Sequence, residues 1–170
     1  MQFRGHSEHT IDAKGRTCLP AKFRDTLAKN GESQLVVTRG YAAELPDEEG
    51  HCLFLYPLSD FEALQEEIAR QKKELMQQAG GVTQTRQQML HRIERTTIAH
   101  AEDLEIDKAG RVLLPAKLRQ WAGIEKDSVC VGQGRRMELW APDRWARVEE
   151  LANADERQDD RERIEMELGF

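Results

Sequence analysis

Two short segments place an acid and an arginine across a glycine turn: Asp12-Ala-Lys-Gly-Arg16 and Asp107-Lys-Ala-Gly-Arg111. In this spacing the carboxylate can accept from the turn backbone and from the guanidinium four residues on, which would hold the arginine in one pose. A held guanidinium presents a planar fork of donors suited to a guanine edge or a phosphate. Gly15 and Gly110 permit close backbone approach, and Lys14 and Lys108 add positive charge. Taken alone, the pair has a second reading: it pins the turn and does nothing else. The surrounding cations, Arg4, Lys22 and Arg24 in one half and Lys117 and Arg119 in the other, favour a ligand-facing role. The last four of these also fit the solvated face of a helix.

Both segments belong to a repeat. Residues 11–24 read IDAKGRTCLPAKFR and residues 106–119 read IDKAGRVLLPAKLR, with nine of fourteen positions identical at an offset of 95. The likeness continues into Leu35-Val-Val-Thr-Arg-Gly40 against Val129-Cys-Val-Gly-Gln-Gly134, and Leu53-Phe-Leu-Tyr56 against Met137-Glu-Leu-Trp140. An internal repeat outranks other sequence signals when architecture is read. One unit reads as a strand from His9 to Asp12, a tight turn, a returning strand to Leu19, a helix from Pro20 to Leu27, and strands at 34–38 and 52–56. The second unit reads as strands at 103–107 and 111–114, a helix at 115–122, and strands at 128–132 and 136–140. Ser59 with Glu62 has capping-box spacing, and Asp143 suits an N-cap. A unit of about fifty residues is near the lower limit for an independent core, so the two copies are expected to share one.

The expected organisation is a first unit at 1–57, a helical insert at 58–100, a second unit at 101–148 and an acidic, helical or disordered tail at 149–170. In the insert, Phe61, Leu64, Ile68, Leu75 and Met76 fall near one helix face, and Met89, Leu90, Ile93 and Ile98 mark a second helix beyond Gly80-Gly81. This helical hairpin either covers the core or meets a partner.

The net charge of −6 opposes nucleic-acid binding until its distribution is read. Residues 149–170 hold nine acids and three arginines, which accounts for all of it. Residues 1–40 hold seven Lys/Arg against four Asp/Glu. Groove binding depends on such local charge. Aromatic content of 6% argues against a stacking platform for single strands. The five histidines show no metal-ligand spacing, and Cys18, Cys52 and Cys130 form no Cys-x-x-Cys pair. Cys18 and Cys130 read as small core residues. His51-Cys52 is half a metal site at best, and the core reading is preferred. No nucleophile has a local base and no glycine loop cradles phosphate, so neither enzyme activity nor a cofactor, metal or small-molecule substrate is expected. No apolar run approaches membrane-spanning length and the N-terminal residues lack a leader pattern, so a cytoplasmic location without membrane contact is expected.

At these residues the sequence resembles the MraZ family, within the AbrB-like swapped-hairpin transcription factors. The features are Phe3-Arg-Gly5, Asp12 to Arg16, Leu19-Pro-Ala-Lys-Phe-Arg24, Thr38-Arg-Gly40 and Cys52-Leu-Phe-Leu-Tyr-Pro57. In the second half they are Asp107 to Arg111, Leu114-Pro-Ala-Lys-Leu-Arg119, Val131-Gly-Gln-Gly134 and Glu138-Leu-Trp140. The resemblance covers residues 1–150. It implies an α+β fold of two tandem swapped-hairpin β units forming an internal pseudo-dimer. It also implies a nucleoid-associated regulator of the bacterial division and cell-wall gene cluster that binds G-rich direct repeats of double-stranded DNA in its own promoter. The assembly it implies is a homo-oligomer, ring-shaped. The DNA-facing residues it implies are Arg4, Lys14, Gly15, Arg16, Lys108, Gly110 and Arg111, with Asp12 and Asp107 as orienters. The competing reading is a structural or protein-binding ring without nucleic acid. Two departures from the family pattern stand out: a long acidic stretch from Tyr41 to His51, expected to protrude, and the long acidic tail.

Overall fold

The computed structural model describes residues 1–77, 81–154 and 166–167. It is an α+β structure built on eight strands and five helices among those residues. The first copy contributes β1 (Phe3–Thr10), β2 (Arg16–Cys18), α1 (Ala21–Lys29), β3 (Gln34–Tyr41) and β4 (His51–Pro57). Helices α2 (Leu58–Met76) and α3 (Gly81–Thr96) follow. The second copy contributes β5 (Glu102–Glu105), β6 (Arg111–Leu113), α4 (Ala116–Trp121), β7 (Asp127–Gly134) and β8 (Arg136–Trp140), and α5 (Pro142–Asn153) ends it.

The turn at Asp12–Arg16 closes as the sequence predicts, but the strands on either side do not form a hairpin ladder. β1 pairs antiparallel with β7 over eight register pairs, whereas β2 offers only three residues and pairs with β6 instead. A long partner outweighs a short local one. The same happens reciprocally in the second copy, where β5 pairs with β3. The result is a six-stranded antiparallel sheet in the order β1-β7-β8-β4-β3-β5 and a separate β2–β6 ribbon. Strands of the two copies therefore alternate partners across one sheet.

Four consecutive buried residues, Leu35 to Thr38 in β3 and Ser128 to Val131 in β7, mark strands covered on both faces. On one face lies a single apolar cluster drawn from both copies. Phe3, Leu19, Phe23, Leu27, Leu35 and Leu53 meet Leu104, Val112, Leu114, Leu118, Met137 and Leu139 there. Phe23 and Leu27, one helical turn apart, bring α1 onto it. On the other face Trp140, Val129, Val131 and Cys52 pack under Trp145, Val148 and Leu151 of α5.

Several local expectations change in this setting. The stretch from Tyr41 to His51 does not protrude. The Ala42 amide donates to the Gly50 carbonyl at 2.9 Å, and Ala42 and Leu45 are buried in the Trp140 cluster. Neither predicted side-chain cap forms. α2 begins one residue before Ser59, after Pro57, and the Ser59 hydroxyl binds Glu32. α5 begins at Pro142, which puts Ala141 at the cap position and Asp143 inside the first turn, where it serves only as a first-turn acid. α2 and α3 pack through Ile68, Leu75 and Leu90, with Lys72 and Glu94 paired at 2.9 Å. Met76 and Met89 lie outside, 76% and 63% exposed. Each is one residue, about 100° of helix, past the buried Leu75 or short of the buried Leu90. The Gly80 stop and most of the acidic tail fall outside the described residues.

Cys18 is a further correction: it is exposed, because Thr17 takes the inward position of β2. Cys52 and Cys130 are buried, and burial pushes both thiols up, Cys130 to about 12. We expect one fast-reacting thiol per native chain with an aromatic disulfide reagent, and the other two only on denaturation. Three fast thiols, or a Cys18→Ser chain that keeps the fast one, would contradict this placement.

Candidate nucleic-acid interface

The two turns are built alike, bond for bond. Asp12 Oδ1 accepts the amides of Lys14 and Arg16, both at 2.9 Å, and Asp12 Oδ2 accepts Arg16 Nε at 2.7 Å. Asp107 Oδ1 accepts the amides of Ala109 at 2.8 Å and Arg111 at 2.9 Å, and its Oδ2 accepts Arg111 Nε at 2.8 Å. Each turn is closed by a glycine amide donating to the aspartate carbonyl at 2.8 Å. Gly15 and Gly110 have φ of 85° and 75°, a region that L side chains enter at a cost. One carboxylate oxygen thus pins the backbone and the other orients the arginine. Asp12 Oδ2 also lies 2.7 Å from Arg16 Nη2, so the aspartate takes the Nε–Nη2 side of the guanidinium and the Nη1 end points away from it.

The Asp12 carboxyl is held below the usual carboxylate range, first by the Arg16 amide and then by the Arg16 guanidinium and Lys14 amide, against some desolvation. Asp107 is lowered in the same way by the Arg111 amide, the Arg111 guanidinium and the Ala109 amide. Both remain ionised at neutral pH. The Arg16 and Arg111 side chains are 33% and 37% exposed, so each is steadied yet reachable.

The β2–β6 ribbon joins the turns. The Leu114 amide donates to the Gly15 carbonyl and the Leu19 amide to the Gly110 carbonyl, both at 3.0 Å. In register, Arg16 faces Leu113, Thr17 faces Val112 and Cys18 faces Arg111. Thr17 and Val112 point into the core, so Arg16, Leu113, Cys18 and Arg111 share the outer face. Lys14 and Lys108 are exposed on the turns beside it.

Three expected site residues are placed differently. Gly15 and Gly110 are buried, each beneath an arginine from the other copy. A Cβ on Gly15 would lie 3.1 Å from Arg119 Nη2, and one on Gly110 would lie 2.7 Å from Arg24 Nη1. The close approach that glycine permits is used within the protein. Arg4 is not brought to the turns. It pairs with Gln133 near the start of β1, roughly 20 Å of strand from Thr10.

The sequence offered Arg24 and Arg119 as cations beside the turns or as a solvated helix face, not as covers for the opposite copy's glycine. Their retention at the last position of both repeat segments was the available signal, but the crossing that makes it meaningful is tertiary. The turns also differ in their flanks. Asp103 and Glu105 line a shallow cleft shared by Arg16 and Arg111, and their first-copy counterparts are Glu8 and Thr10.

Geometry and repeat together define an internally duplicated α+β protein with two aspartate-held arginines on one interleaved surface. A family model described as "MraZ protein, putative antitoxin-like" matches residues 2–80 and 97–166, and the chain belongs to the MraZ family. It is similar to the "Transcriptional regulator MraZ" of Marinomonas sp. (strain MWYL1), 39% identical over 143 residues, 84% of this chain and 82% of that protein. The protein of that name from Alkalilimnicola ehrlichii is 39% identical over 84% of this chain and 83% of its own length. The one from Legionella pneumophila (strain Corby) is 36% identical over 154 residues, 91% of this chain and 89% of its own.

Proposed function

We propose that the chain is a sequence-specific DNA-binding transcriptional regulator that meets the major groove with the β2–β6 ribbon and its two turns. The observation that carries this reading is the pair of guanidiniums, each held along one side by an aspartate, on one outer face. A two-stranded ribbon fits the major groove, and guanine offers O6 and N7 to a guanidinium. Lys14 and Lys108, with Arg24 and Arg119 over the turns, supply phosphate contacts, and Arg4 is an outlying one. The regulator names of the relatives support the same role.

The finer reading follows the family resemblance. The chain is two AbrB-like swapped-hairpin units, 1–57 and 101–148, forming an internal pseudo-dimer, with an insert at 58–100 and a tail at 149–170. It works in the cytoplasm at the nucleoid, on G-rich direct repeats in its own promoter within the division and cell-wall gene cluster. It acts as a ring of copies without catalytic activity. Among the described residues no helix is long and apolar enough to cross a membrane. Exposed Met89, Ile93 and Tyr41 along a groove of about 610 Å³ support contact between copies. Linked copies engaging successive repeats would multiply a weak single contact.

A gel shift on a duplex carrying the gene's own upstream region tests this reading. Affinity should fall steeply with salt, with a log–log slope of about −3.6 per engaged copy if Lys14, Lys108, Arg24 and Arg119 each meet one phosphate. Absence of a shift, or binding indifferent to salt, would leave the protein-binding ring as the better account.

A further inference from the structure

The outer face of the ribbon holds a residue that the arginine chemistry does not explain. Leu113 is 57% exposed, directly opposite Arg16 and two residues along β6 from Arg111. Resting on the DNA-binding reading above, the geometry points to Leu113 as a specificity-determining residue that packs on the C5-methyl of a thymine next to the guanine read by Arg16.

Every base-pair edge in the major groove carries hydrogen-bond donors or acceptors, and the thymine methyl is its principal apolar feature. An isobutyl side chain pressed against an O6, N7 or N4 group removes water from it and returns no hydrogen bond, which costs binding energy. Against a methyl, the same side chain buries apolar surface on both partners.

Position supports the assignment. Side chains directly opposite on paired strands stand about 5 Å apart, and those two residues apart on one strand about 7 Å. One base-pair step is about 3.4 Å. Leu113 thus falls within one or two steps of any base that Arg16 or Arg111 reaches. Asp12 and Asp107 are engaged by Arg16 and Arg111, and Asp103 and Glu105 border the cleft, while Lys14 and Lys108 make no ion pair among the described residues and supply the positive charge that suits a polyanion. The matching residue of the first copy is Cys18, beside Arg111. It is too short to reach as far, so the apolar reading belongs to one end of the ribbon only.

The test uses the full chain and two duplexes of the same upstream region, one made with thymidine and one with deoxyuridine throughout. Deoxyuridine keeps base pairing and removes only the methyl. Wild type should bind the uracil duplex about fourfold more weakly for each methyl met. Leu113→Ala should bind both duplexes alike, near the level of wild type on uracil, while Leu113→Met should keep the preference. Wild type that shifts both duplexes equally, or Leu113→Ala that still prefers thymine, overturns the assignment and leaves DNA binding standing. Wild type that shifts neither duplex overturns both.

Discussion

Arg16→Ala is expected to lower affinity for the upstream duplex by about 10- to 100-fold while leaving the folded chain and its oligomer unchanged. A good bidentate contact between arginine and guanine is worth about 1–3 kcal/mol of discrimination, and lysine, a point charge, does not replace the fork. Arg16→Lys should therefore lose most of the specificity and keep part of the nonspecific affinity. The fold should survive because Asp12 Oδ1 takes two backbone amides that do not depend on the arginine side chain. Arg111→Ala should lower affinity to a similar degree, since its aspartate grip is built like that of Arg16. Titration of labelled duplex, with circular dichroism and sedimentation beside it, separates these outcomes. Unfolding of Arg16→Ala would mean that the pair only pins its turn, and unaltered binding would remove the turn from the interface.

The sign of the aspartate shifts extends this expectation to pH. Both folded-state values lie below the ordinary carboxylate range. The order they lend is thus fully present above the unfolded value near pH 4, and is lost only as pH falls through the lower folded one. The two turns should therefore add no pH dependence to binding between pH 8 and 5.

Gly132→Ala should destabilise the whole chain by about 3 kcal/mol, because β1 of one copy crosses β7 of the other at that residue. Gly132 faces Gly5 in the register, and a Cβ there would stand 2.5 Å from the carbonyl carbon of Phe3. That atom is backbone, so no side chain can swing aside. β1 must lift from β7, and Phe3, which is 1% exposed and touches Phe23 with ring centroids 5.4 Å apart, must lift with it. For a chain of this length the melting temperature should drop by about 10 °C. Leu113→Ala, on the exposed ribbon face, should move it little. A Gly132→Ala chain with an unshifted denaturant midpoint would show that the β1–β7 pairing is dispensable.

What could be read in the residues was whatever forms within a few positions. Asp12 and Arg16 are four apart, as are Asp107 and Arg111, and their hydrogen bonds close inside the turn, so residue type and spacing were enough. The same holds for the helix that follows Pro20 and for the strand that starts at Gln34. The repeat also placed β6, α4 and β8 by analogy with their first-copy counterparts, to within one or two residues at most bounds.

The partners of those elements were not legible. β2 finds β6 some 95 positions away, and β1 leaves its neighbour for β7, because the longer ladder buries more chain than a three-residue hairpin does. Strand pairing at that separation leaves no period in the sequence. On it depend the outward turn of Cys18, the seating of Arg24 and Arg119 over the opposite copy's glycine, the remoteness of Arg4, and the meeting of Arg16, Leu113 and Arg111 on one face. The amino-acid order by itself determined the chemistry of each turn; only the tertiary structure decided that two turns make one surface, since that surface is created by contacts between copies rather than within either.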